Sequence, residues 1–295
     1  MRCDRKRTLD AEGSTGRHCR PVVGRRPGSL LWGVATSAVL PHGGSTIEER
    51  RTFVLAQGPG IAAGARPFDT RLVDVAATVF KQLGIVPDPA WGLDGKPVQE
   101  RSADPFDTLY PALSGRVDET GIPAGVLGYT RTAPSGWSVI NSAMGTGGVT
   151  EWRGWSFATD EFWSRSQRDQ SRELNVRSRG VFAVADSDEW DDKASSGTYD
   201  STLVTPAYAV GGKAKVLLDF TTLYRQEGSQ TAQILASWNG ATPVAVTSYT
   251  KDVISQPQSL SLTVPSGATS VSFRFRYTGS NNWYWVIDGV RVTAS

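Results

Sequence analysis

Five carboxylates fall within seven residues: Asp186, Asp188, Glu189, Asp191 and Asp192. Left bare they repel one another. Two outcomes fit: a solvated acidic loop, or a Ca²⁺ site in which hard oxygen ligands neutralise the charge. The run lacks the glycine and distal glutamate of an EF-hand. Asp288, beside the last tryptophans, is a sixth candidate ligand for calcium. Aromatics are the second resource. Of ten tryptophans, Trp152, Trp155, Trp283 and Trp285 could form a platform on which sugar rings stack, because an indole offers flat apolar area with a polar edge. The commoner use of such side chains is core packing, and the alternation of Trp283, Trp285 and Ile287 points at least one of them inward. Imidazole is scarce: His18 and His42 are the whole supply. A catalytic zinc site takes three protein ligands, so two histidines cannot supply a histidine-based one alone.

These residues sit in a chain that reads as β from Gly180 onward. Val271, Phe273, Phe275 and Tyr277 alternate with Ser270, Ser272, Arg274 and Arg276, the period of a strand with one wet face. Leu260, Leu262 and Val264 alternate in the same way, and Val216, Leu218, Phe220 and Tyr224 share a face. Asn239-Gly240 is a hairpin signal. Six or more such strands predict an antiparallel β-sandwich or jelly roll. Thr159 followed by Asp160 and Glu161 predicts a capped helix start, and the polar stretch 164–177 predicts a surface helix.

The front of the chain differs. Residues 1–40 carry eight Lys or Arg against three acids, together with both cysteines, Cys3 and Cys19. The remainder is slightly acidic, and a net charge of +2 gives no drive toward nucleic acid. Residues 1–26 lack periodicity and predict disorder. Arg25-Arg26 before the mild apolar run Leu30 to Leu40 fits a twin-arginine export signal, and it also fits a segment that is not a native element. No uncharged apolar run approaches the length of a transmembrane helix. Between Gly43 and Gly84 the reading is loop, short strand (Thr52 to Ala56) and helix. Leu72, Val75, Val79 and Leu83 form its apolar stripe, Asp69, Thr70 and Asp74 are its cap candidates, and Gly84 closes it. Lys96 to Pro123, rich in Pro and Gly, reads as a linker.

Two resemblances follow. His42-Gly43-Gly44, Gly58-Pro59-Gly60, Asp74-Val75-Ala76 with Thr78, Leu83-Gly84 and Leu93-Asp94-Gly95 resemble the C-terminal end of the catalytic domain of the alkaline phosphatase superfamily, which includes type I phosphodiesterases and nucleotide pyrophosphatases. Ala77 stands where that family usually has proline. The resemblance implies that His42 is a former zinc ligand and that the intact parent is a metal-dependent phosphoester hydrolase with zinc or another divalent metal. The nucleophile and the other ligand motifs are missing, so no catalytic residue is assigned and the chain is expected to be inactive alone. The switch to unfamiliar sequence before His42 suggests a truncated or frame-shifted gene. Residues 120–295, with Gly136-Trp137, Trp152-Arg-Gly-Trp-Ser-Phe and the closing Trp283-Tyr-Trp-Val-Ile-Asp-Gly, are similar to the MAM-like and choice-of-anchor β-sandwich modules appended to secreted bacterial hydrolases. That resemblance implies secretion and, as the alternative to a hydrolase fragment, a non-enzymatic module that docks on polysaccharide or a cell surface. The expected organisation is a disordered or non-native segment (1–40), a small α/β fragment (41–98), a linker (99–119) and a β-sandwich (120–295).

Overall fold

A computed structural model describes residues 30–33, 44–64, 69–100 and 104–295. His42 and residues 1–26, with the expectations attached to them, lie outside the described residues. The chain divides into two compact units, residues 1–35 with 52–100, and residues 36–51 with 101–295. Four α-helices are present among the described residues: α1 (Ile47–Arg50), α2 (Asp74–Gln82), α3 (Asp160–Ser166) and α4 (Ser187–Asp191).

In the smaller unit, β1 (Leu30–Gly33) pairs antiparallel with β2 (Phe53–Ala56), Leu30 opposite Ala56. Helix α2 occupies the expected segment and stops at Gly84, whose φ of 69° is the left-handed conformation a helix end favours in glycine. Of the three cap candidates, Asp74 is buried. Its carboxylate accepts the N–H groups of Arg71 and Lys96, both at 2.9 Å, tying the helix start to the following chain. Thr78 receives the Val98 N–H at 3.0 Å. The stripe departs from expectation. Leu72 and Leu83 are 55% and 67% exposed, whereas Asp74, Ala77 and Thr78 are buried. Among the described residues this unit offers one four-residue strand pair, one α-helix and a 3-10 turn at Pro89–Trp91, too little structure to cover a long apolar face.

The larger unit is a mainly β, antiparallel sandwich. Its strands before the core hairpins are short: β3 (Tyr129–Thr130), β4 (Ser138–Ile140), β5 (Thr146–Gly147), β6 (Ser156–Thr159), β7 (Val181–Asp186), β8 (Ser195–Ser196), β9 (Tyr199–Val204) and β10 (Tyr208–Ala209). The later ones are longer: β11 (Lys215–Tyr224), β12 (Thr231–Trp238), β13 (Val244–Tyr249), β14 (Val253–Thr263), β15 (Ser270–Gly279) and β16 (Tyr284–Ala294). One sheet runs β13-β12-β15-β9-β4, with β10 also on β15; the other runs β14-β11-β16-β7-β6-β3. The β12–β13 hairpin turns at Asn239-Gly240, both residues at positive φ, as the primed two-residue turn requires.

The core lies between these sheets. Val271, Phe273, Phe275 and Tyr277 point into it, each fully buried, and Arg274 and Arg276 point away, as the period-two pattern predicts. Trp155 meets Trp285 edge to face at 5.3 Å, and Phe275 packs on Trp285 at 5.9 Å. Two expectations need correction. The segment read as linker contributes a 3-10 turn, Phe106–Ala112, whose Phe106 and Leu109 are buried in this core; Phe106 lies 5.1 Å from Trp137. Apolar side chains a few residues apart anchored it, and its Pro and Gly content masked them. The surface helix expected over 164–177 is only α3. Thr159 caps it by accepting the Phe162 N–H, the helix ends at Ser166, and the following chain turns inward to bury Arg172.

Candidate functional site

The acidic run does not form an open loop. β7 brings Asp186 into the interior, where it caps α4 by accepting the Glu189 N–H at 3.2 Å. Its other oxygen accepts Trp163 Nε1 at 2.9 Å and lies 3.2 Å from Arg172 Nη2. Glu189, one turn along, also receives Arg172. Arg172 is 2% exposed. It donates to the carbonyl of Trp163 at 2.6 Å and to Gln170 Oε1 at 2.8 Å, and it lies 4.9 Å from the Trp163 ring and 5.9 Å from that of Tyr284. Glu119 joins from the opposite side by accepting Trp152 Nε1. Beside it, Glu151 gathers the N–H groups of Val117, Asp118 and Glu119 on one buried carboxylate.

This arrangement separates the calcium candidates. Asp186 and Glu189 are committed to Arg172. Asp188 accepts from Gln170, and the exposed Asp191 accepts from Ser195. Asp192 is exposed. Asp288 is buried elsewhere, on β16, accepting the Arg179 N–H at 2.7 Å. Among the described residues no group of three such side chains converges in a way that could hold a metal ion. A run of carboxylates on a strand end and a single-turn helix points its members in different directions.

Burial raises several of these acids. It pushes Glu189 well above the ordinary carboxylate range against the pull of Arg172, and it raises Asp186 and Glu119 in the same sense. Asp288 is raised well above that range by burial and by the neighbouring Asp104. A group whose pKa rises on folding holds its proton longer in the folded state. The stability it contributes is complete below the ordinary carboxylate value of about 4 and is lost as pH climbs through the raised value. Asp118, drawn down to about 2 by Lys193 and Thr150, acts only at lower pH. The melting temperature is therefore expected to fall from mildly acidic to alkaline pH, and Glu189→Gln is expected to flatten the fall. Melts across this range check it; a rise with pH would contradict the assignment.

The tryptophans expected to form a platform are core. Trp152, Trp155 and Trp285 are at most 1% exposed, so no ring can stack on them. Trp155 Nε1 donates to the Phe275 carbonyl at 3.0 Å and Trp285 Nε1 to Thr222 at 2.8 Å. Trp283 is half-buried, with the Arg225 guanidinium 4.5 Å from its ring. Trp190 is held too. Its Nε1 donates to the Gly147 carbonyl at 3.0 Å, and Gly148, at φ 75°, lies so close to this indole that a Cβ would collide with it.

The outer face of the β13-β12-β15-β9-β4 sheet is a surface open to recognition. Its pairing sets side chains in rows. One row runs Ser248, Gln233, Arg276, Thr202, Ile140; the next runs Ala245, Leu235, Arg274, Val204, Ser138. The five strands carry three charged residues, Asp200, Arg274 and Arg276. Arg276 takes both oxygens of Asp200, at 3.0 and 2.6 Å. Gln233 reaches Ser248 at 3.4 Å, and Thr231 shares a 2.5 Å hydrogen bond with Thr278. Arg274 makes no hydrogen bond or ion pair among the described residues. Its Nε is shielded from solvent without a partner, which leaves the two terminal nitrogens as the donors a ligand can reach. The alternation along β15 placed both arginines outside; telling them apart required the position of Asp200 on a distant strand.

No family model matches the chain, and no curated protein matches it. Solved structures are similar to parts of it at low scores. TmCBM61 in complex with β-1,4-galactotriose is 10% identical, covering 55% of this chain and 90% of that one, with a TM-score of 0.35. A cleaved adhesin domain of Lys-gingipain from Porphyromonas gingivalis is 18% identical, covering 57% and 97%, with a TM-score of 0.34. The N-terminal cellulose-binding domain of a Cellulomonas fimi β-1,4-glucanase is 18% identical, covering 39% and 78%, with a TM-score of 0.27. Nothing in these comparisons supports the alkaline phosphatase resemblance read in residues 41–98, nor the hydrolase and zinc chemistry it implied.

Proposed function

We propose that the sandwich is a non-enzymatic binding module acting outside the cell on polysaccharide. The observation that carries this reading is the outer face of the β13-β12-β15-β9-β4 sheet. It is a pleated surface of hydroxyl, amide and guanidinium groups with small apolar side chains between them. Donors and acceptors of this kind suit sugar hydroxyls, and Val204 and Leu235 suit the apolar faces of the rings. Residues of one strand on one face recur about every 6.6–6.8 Å, so an extended chain laid across the rows meets polar groups repeatedly. The strongly perturbed acids, by contrast, are sealed: Asp186, Glu189 and Asp288 are at most 4% exposed. They stabilise the interior and offer no substrate a proton.

Native affinity electrophoresis tests this. The full chain is expected to be retarded in gels containing at least one soluble polysaccharide from a panel of neutral and acidic glucans, galactans and galacturonans. Free migration through all of them would overturn the reading.

A further inference from the structure

We infer that the polysaccharide is acidic and that Arg274 recognises its carboxylate or sulfate groups; this deepens the binding-module reading and rests on it. The argument is one of charge accounting on a single face. Three charged side chains project from five strands, and two of them, Asp200 and Arg276, neutralise each other in a two-pronged pair. The third, Arg274, has no countercharge. In its own row it stands between Leu235 and Val204, neither of which can accept a hydrogen bond, with Ala245 and Ser138 beyond. Along β15 its same-face neighbours are Ser272 and the already occupied Arg276.

The surroundings favour an anion over a neutral hydroxyl. A guanidinium presents paired N–H donors in a fixed plane that fits the two oxygens of a carboxylate or sulfate, and such charge-assisted pairs are about twice as strong as neutral ones. Flanking apolar side chains limit the water that would otherwise screen the pair. Thr202 and Gln233, each one row away, can take the hydroxyls of the same or adjacent sugar units. A bound acidic sugar would also give the two terminal nitrogens the acceptors that no described residue supplies; the shielded Nε is not part of that contact.

The test is affinity electrophoresis and calorimetry with the full chain and four probes: polygalacturonate for carboxylate, dextran sulfate for sulfate, and galactan and hydroxyethylcellulose as neutral controls. Polygalacturonate or dextran sulfate is expected to bind, and whichever binds more tightly identifies the anion. Arg274→Ala is expected to weaken that binding by about tenfold or more. Arg274→Lys should restore only part of it, because an ammonium keeps the charge and loses the fork. Asp200→Asn, which releases Arg276 without changing size, is expected to strengthen it. That gain distinguishes recognition from a structural role and holds the test even if Arg274→Ala unfolds. Binding confined to the neutral probes, or acidic binding indifferent to all three substitutions, would overturn the inference and leave the polysaccharide reading in place. Binding to none of the four would overturn both.

Discussion

Arg172→Ala is expected to be the most damaging substitution in the sandwich, at about 3–5 kcal/mol. The reason lies in what remains. Asp186 and Glu189 stay buried, at 0% and 1% exposure, and lose the cation that pairs with both. Trp163 and Tyr284 lose the guanidinium that lies against their rings, and Gln170 loses its donor. A buried charge stripped of its partner is expensive, whereas the intact pair is close to neutral in net energy. The two carboxyls will respond by taking up protons, so the loss should shrink at acidic pH and grow at alkaline pH. Denaturant unfolding at two pH values measures this. A loss under about 1 kcal/mol at neutral pH, or one independent of pH, would mean that Arg172 is not the countercharge.

The second large effect is Phe273→Ala, at roughly 3–5 kcal/mol from lost transfer energy and the cavity left behind. In a unit of this size that is about a 10 °C drop in melting temperature. Phe273 is fully buried on β15, opposite Ala236 of β12, and its backbone N–H donates to Thr205 at 3.0 Å. Arg274→Ala, one residue along, removes a half-buried side chain from the outer face, outside the core, and should change stability by about half a kcal/mol. Thermal melts of the two variants of the full chain compare them. Equal shifts would show the register of β15 to be wrong.

How much could be read beforehand depended on how local the cause was. The alternation along β15, the Asn239-Gly240 turn and the Thr159 cap are settled by residues within a few positions of one another, and all three stand as expected. Arg172 fell within a polar stretch read as a surface helix; the carboxylates that receive it and the Tyr284 ring beside it come from β7, α4 and β16. The acidic run suggested an ion, and it does hold a cation's charge, supplied by that arginine. The stretch holding Phe106 and Leu109 was read as linker from its Pro and Gly content, yet both side chains are buried in the core. The candidate face was half legible: its outward side chains follow from the pleat, and the isolation of Arg274 follows only from the pairing of β9 with β15.

The way the two sheets end bears on association between copies. At one side they finish in β3 and β4, of two and three residues, too short to template a further strand. At the other side stand β13, whose register slips between its pairings with Ile234 and Leu235, and β14, which is irregular near Ser255, at φ 46°, and carries Pro257 in its ladder. A proline removes a donor, and a bulge bends an edge away from a straight partner. Each open border of the sandwich is thus short, bent or interrupted, so the protein can expose a broad polar sheet at high local concentration without its borders zipping into fibrils.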